Sequence, residues 1–197
     1  FYQRSIYQET RSLTRRVMQA LRRRMEHLPR DARLAAQDVL GQENALLERF
    51  HGIIEGKITA ARIRCDGDYD LSDVITTGHD FVTLDLGGDI TRPLSERRLK
   101  LSPLRDVAGM LASLHTAAYT ALADRVRRGL VGAADFAAAE AWTRFWAAWV
   151  SASFLKGYLD AVGPAHLLPS SPHLVQVLDV QVVDGAHAPR YRPGPHG

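Results

Sequence analysis

The sequence predicts an α+β domain that is mainly α. Two observations carry that expectation. Four long stretches place apolar residues at helical spacing, and one short β-rich segment with an acidic loop interrupts them near mid-chain. With 197 residues, 46% of them hydrophobic, the chain is long enough to bury an ordinary core. Residues 1–180 read as one unit, and 181–197 as a disordered tail.

Residues 1 to about 29 form the first expected helix. Ile6, Leu13, Val17, Leu21, Met25 and Leu28 make its apolar face, and Arg11, Arg15, Arg16, Arg22, Arg23 and Arg24 take other positions. Such a basic face also suits nucleic acid or an anionic membrane. Without interleaved aromatics, a solvated face is the better reading. Pro29 and Asp31 mark a break and the next cap, and a second helix runs from about 31 to 55 on Ala36, Leu40, Leu47, Phe50 and Ile54.

Gly56-Lys57 closes that helix, and Ala60 to Cys65 reads as a strand entering the turn Asp66-Gly67. Val74 to Thr77 and Phe81 to Leu84 are β-rich runs joined by Gly78-His79-Asp80, a short hairpin. A charged loop follows Gly88. Ser102-Pro103 then opens a helix to about Arg128 that buries Val107, Leu111, Leu114, Ala118 and Leu122. Gly129 to Gly132 breaks it. The last helix spans about Ala133 to Val162, and its heavy stripe Trp142, Trp146, Trp149 and Leu159 reads as core.

Composition lends no support to several classes of function. A net charge of +3 is too small to argue for nucleic acid. No apolar run reaches the roughly 18 residues of a membrane span. A single cysteine, Cys65, rules out an internal disulfide framework and suits a reducing cytoplasm. The chain opens Phe1-Tyr2 without Met, which suggests a piece of a longer polypeptide.

The segment from Ile63 to Gly88 carries the chemistry. A strand delivers Asp68 onto a loop, Asp73 follows five residues later, and a hairpin ends at Asp85-Leu86-Gly87. Kinase-type phosphoryl transfer needs this layout: a loop Asp to take the acceptor's proton, a metal ligand five positions on, and a second metal Asp after the next hairpin. A calcium loop is the rival reading, since Asp66, Asp68 and Asp70 alternate. Leu71 and Thr77 occupy the positions where an EF-hand needs Gly and Glu. An acidic surface turn is the bland alternative.

Three stretches carry a resemblance: Arg62-Ile-Arg-Cys-Asp-Gly-Asp-Tyr-Asp-Leu-Ser-Asp-Val, Leu84-Asp-Leu-Gly-Gly-Asp, and Arg92-Pro-Leu-Ser-Glu-Arg-Arg-Leu-Lys-Leu-Ser-Pro-Leu-Arg-Asp-Val-Ala-Gly-Met-Leu. Together they resemble the maltokinase family, in particular the maltokinase domain fused behind trehalose synthase. The opening Phe1-Tyr-Gln-Arg-Ser-Ile-Tyr-Gln is similar to the start of that family's C-terminal lobe.

The resemblance implies the C-terminal lobe of a protein-kinase-like fold related to aminoglycoside phosphotransferases. It implies phosphorylation of maltose at the anomeric hydroxyl by ATP with Mg²⁺, giving maltose 1-phosphate for α-glucan synthesis. Asp68 would be the catalytic base, and Asp73 and Asp85 the metal ligands. Asp70, Arg105 and Asp106 would contact substrate or brace the loop. The partners implied are maltose, an N-terminal ATP lobe and a trehalose synthase domain, with no nucleic acid and no membrane.

Departures cluster at the same place. Asp66 and Asp70 stand where the family usually has His, Ser72-Asp73 where it has Gly-Gln, and Leu86-Gly87-Gly88-Asp89 where it has Phe-Glu-Gly-Glu. No Gly-rich phosphate loop is present, and the lysines (Lys57, Lys100, Lys156) do not sit where one would hold phosphates, so the ATP-binding lobe is expected outside this chain.

Overall fold

Helix-forming segments dominate the architecture, and the strands are short antiparallel pairs. The computed structural model describes residues 2–84, 93–162, 167–169 and 173–178. In chain order the helices are α1 (Tyr2–Arg24), α2 (Arg30–Gly41), α3 (Glu43–His51), α4 (Leu94–Arg97), α5 (Leu104–Arg127) and α6 (Phe136–Val162). The strands are β1 (Ile63–Arg64), β2 (Val74–Thr76), β3 (Phe81–Thr83) and β4 (Lys100–Leu101). Among the described residues no helix is long and apolar enough to cross a membrane.

The chain divides into two units. The first holds α1 to α3 and the helical turn at 173–178. Its core is Ile6, Thr10, Thr14, Met18, Ala36, Phe50, Ile53 and Val177. The buried face of α1 therefore repeats every four residues through Ile6, Thr10, Thr14 and Met18. Val17, expected on the apolar face, stays 53% exposed. Thr14 is tolerated there because its hydroxyl donates to the Thr10 carbonyl at 2.8 Å, which satisfies it inside its own helix. Gln3 reaches across to cap the far end, its amide nitrogen donating to the carbonyls of Ile53 and Gly56 at 2.6 and 2.8 Å.

A single helix over 31–55 is not observed. Gln42 leaves helical geometry at φ −94°, ψ 3°, and separates α2 from α3. Gly41 beside it is a weak helix former, so little is lost by breaking there.

The second unit holds the strands and α4 to α6. β1 pairs antiparallel with β4 (Ile63 opposite Leu101, Arg64 opposite Lys100). The strand expected over Ala60–Cys65 is thus only two residues long, and its partner comes from the stretch read as a charged loop. β2 and β3 form the expected hairpin, with Val74 opposite Thr83. Gly78 turns it at φ +88°, a left-handed value that suits glycine.

α5 buries Leu104, Val107, Ala108, Met110, Leu114, Ala118 and Leu122. It ends on Gly129 (φ +69°), with the Gly129 amide bonded to the Val126 carbonyl and the Leu130 amide to the Arg125 carbonyl. This is a glycine-terminated helix cap. α6 packs on α5, yet its tryptophans are not core: Trp142, Trp146 and Trp149 are 67%, 42% and 65% exposed, and the buried residue is Ala147. The expectation of an aromatic core stripe is therefore corrected. α6 is apolar around most of its circumference, so periodicity alone could not select its buried face.

Candidate functional site

Residues 65–73 lie along the first half of α5, and side chains of that helix hold them. Ser102, nearly fully buried, accepts the Leu104 amide at 3.3 Å and starts the helix beside Pro103. One turn in, Asp106 accepts the Asp66 amide at 3.0 Å and the Gly67 amide at 2.8 Å, one on each carboxylate oxygen. Arg105 donates its Nε to the Gly67 carbonyl at 3.1 Å. Adjacent helix residues of opposite charge thus grip both polar ends of one glycine, which itself sits at φ +84°.

Two further residues continue the same line at four-residue spacing. Gly109 lets the loop approach so closely that a Cβ there would lie 2.5 Å from the Tyr69 carbonyl oxygen. Ser113 accepts the Leu71 amide at 3.0 Å and donates to the Met110 carbonyl. Neither was singled out from the sequence. Their signal is the row 105, 109, 113 on one helix face, with small residues at the last two positions.

The loop's own aspartates are largely engaged with its backbone. Asp66 accepts the Asp68 amide at 3.2 Å. Asp70 accepts both the amide and the hydroxyl of Ser72 at 2.6 Å, and Asp73 accepts the Asp70 amide at 3.0 Å. The last two form a reciprocal capping box around a single 3₁₀ turn, Leu71–Asp73. Tyr69 then reaches the hairpin, its hydroxyl 3.3 Å from Thr83 Oγ1, and the Leu84 amide donates to the Asp73 carbonyl at 2.9 Å.

Electrostatics mark the base of the loop. Burial pushes the Asp106 carboxyl above its ordinary value, outweighing the two amides that favour its charged form. Burial, with help from Asp106, raises the Cys65 thiol to about 12. That thiol points at the carbonyls of Ile63, Leu101 and Ser102, between 3.4 and 3.8 Å away. Tyr158 of α6 is raised by burial first and then by Cys65 and Asp106.

Of the residues expected at the site, Asp68, Asp70 and Asp73 lie in one loop, with Arg105 and Asp106 beneath it. Asp85 lies outside the described residues. Among those described, no three His, Cys, Asp or Glu side chains are grouped so that they could hold a metal ion. No protein-family model matches the chain.

Proposed function

We propose that this chain is the helical C-terminal lobe of a kinase-like phosphotransferase of the maltokinase kind. The supporting observation is the loop anchored on α5: Asp106 and Arg105 hold Asp66 and Gly67, which sets the backbone immediately before Asp68. A general base must be held in place by groups other than its own reaction partners, and this tether supplies that. In this reading Asp68 accepts the proton of the anomeric hydroxyl of maltose while ATP donates its γ-phosphoryl group. Asp73 and Asp85 would hold Mg²⁺, which supplies charge neutralisation on the phosphates. Asp70, Arg105 and Asp106 brace the loop. The nucleotide's other contacts come from an N-terminal lobe in the same cytoplasmic polypeptide, with a trehalose synthase domain as a further partner.

A second reading, a catalytically decayed domain with a structural or interaction role, is favoured by one specific observation. Asp70 and Asp73 spend carboxylate oxygens on the loop's own amides. The two readings separate in one assay: magnesium-dependent ATP consumption with maltose, on a polypeptide carrying an N-terminal ATP lobe ahead of this chain. Turnover that falls by about 10²–10⁴ in Asp68→Asn supports the kinase reading. A rate unchanged in that variant sinks it, and no turnover at all in the parent favours the decayed domain.

A further inference from the structure

The first unit carries a cleft that the kinase reading does not use. Its volume is about 490 Å³, within the range of small-molecule sites. Four arginines of α1 line it (Arg11, Arg15, Arg16 and Arg22), with Glu43 of α3 as the one acidic side chain. Glu43 is ion-paired to Arg22 and so neutralises one end only. Gln8, Ser12 and Gln19 complete the wall, which contains no aromatic residue.

We infer that this cleft binds a compact oligophosphate, a small ligand bearing several phosphoryl groups. Three features of the lining argue for that chemistry. Arg11 and Arg15, four residues apart on one helix, repel each other when no anion lies between them. They stand about 6 Å apart along the axis, at 1.5 Å per residue, which is farther than two phosphoryl groups sharing one bridging oxygen, so engaging both arginines calls for a ligand with several phosphoryl groups rather than one. Gln8, Ser12 and Gln19 add neutral donors to the non-bridging oxygens. The absence of aromatic and apolar residues from the wall argues against stacked bases and against a lipid surface. This site is independent of any catalysis in the second unit.

The test is calorimetric titration of the whole 197-residue chain with inorganic tripolyphosphate at low salt, alongside a short DNA duplex and anionic phosphatidylserine vesicles. The expected result is saturable tripolyphosphate binding that weakens as salt rises. The Arg11→Gln/Arg15→Gln variant, its helicity checked by circular dichroism, should bind at least about tenfold more weakly. Glu43→Gln, which frees Arg22, should bind several-fold more tightly. Affinity in the arginine variant within about twofold of the parent overturns the assignment. So does weaker binding by Glu43→Gln, or binding of DNA or vesicles without tripolyphosphate.

Discussion

The Asp106 carboxylate and the Gly67 amide meet at 2.8 Å across 39 positions of sequence, and the second oxygen of Asp106 holds the Asp66 amide in the same grip. Removing that acceptor leaves two part-buried N–H groups without their partner. Asp106→Ala should cost about 2–3 kcal/mol in urea unfolding, and Asp106→Asn, which keeps one acceptor oxygen, less. The pH dependence follows from the raised carboxyl. The native state binds this proton more tightly than the unfolded chain, so Asp106 contributes most below its ordinary value of 3.8. That contribution is lost as pH rises through the native value. The stability difference between wild type and Asp106→Asn should therefore shrink with rising pH, and growth would contradict the burial argument.

Gly109 and Gly157 lie in long helices of the same unit, yet alanine should act on them with opposite sign. Intrinsic helix preference favours alanine by about 1 kcal/mol at either position. At Gly157 nothing lies within 4 Å of an added Cβ, so Gly157→Ala should stabilise by about 0.5–1 kcal/mol. At Gly109 the Cβ would lie 2.5 Å from a backbone oxygen, so the loop or the helix must move. Gly109→Ala should destabilise by about 1–3 kcal/mol and speed hydrogen exchange at the Leu71 amide. Denaturant midpoints that rise for both variants would contradict the close approach.

Cys65 should be a poor nucleophile. Raising its thiol from 9.0 to about 12 lowers the thiolate fraction near neutral pH by roughly a thousandfold, at tenfold per unit. Reaction with an aromatic disulfide reagent at mildly alkaline pH should be slower than in denaturant by about that factor. Equal rates would mean that the thiol is not held among the carbonyls of Ile63, Leu101 and Ser102.

Thr10 is fully buried, and its hydroxyl has no hydrogen-bond partner among the described residues. Replacing that hydroxyl by a methyl of nearly the same shape removes an unsatisfied group. Thr10→Val should stabilise by about 1 kcal/mol. Thr14→Val should gain less, because the Thr14 hydroxyl already donates to the Thr10 carbonyl. Thermal unfolding of the two variants side by side checks the order.

Much of the site's frame is legible in the sequence. The aspartate loop, the hairpin after it and the helix opening at Ser102-Pro103 all follow from turn residues and short β-rich runs that act on their immediate neighbours. Less visible was how the loop is held. The four-residue row of Arg105, Gly109 and Ser113 acquires meaning only once another segment lies on it. The backbone engagement of Asp70 and Asp73 was also hidden, since an aspartate's residue type does not say which donor it will find.

From its sequence alone, this protein was committed to long helices with stops near Pro29 and Gly129, and to a β-rich acidic turn between them. Apolar period, proline and glycine act within a turn or two of chain, so they need no partner to be read. Tertiary packing chose the rest: Thr10 and Thr14 over Val17, Ala147 over the neighbouring tryptophans, and Lys100–Leu101 as the partner of Ile63–Arg64. Those choices compare surfaces distant in sequence, and the shape of the opposing element, rather than hydrophobicity in sum, decides which face is buried.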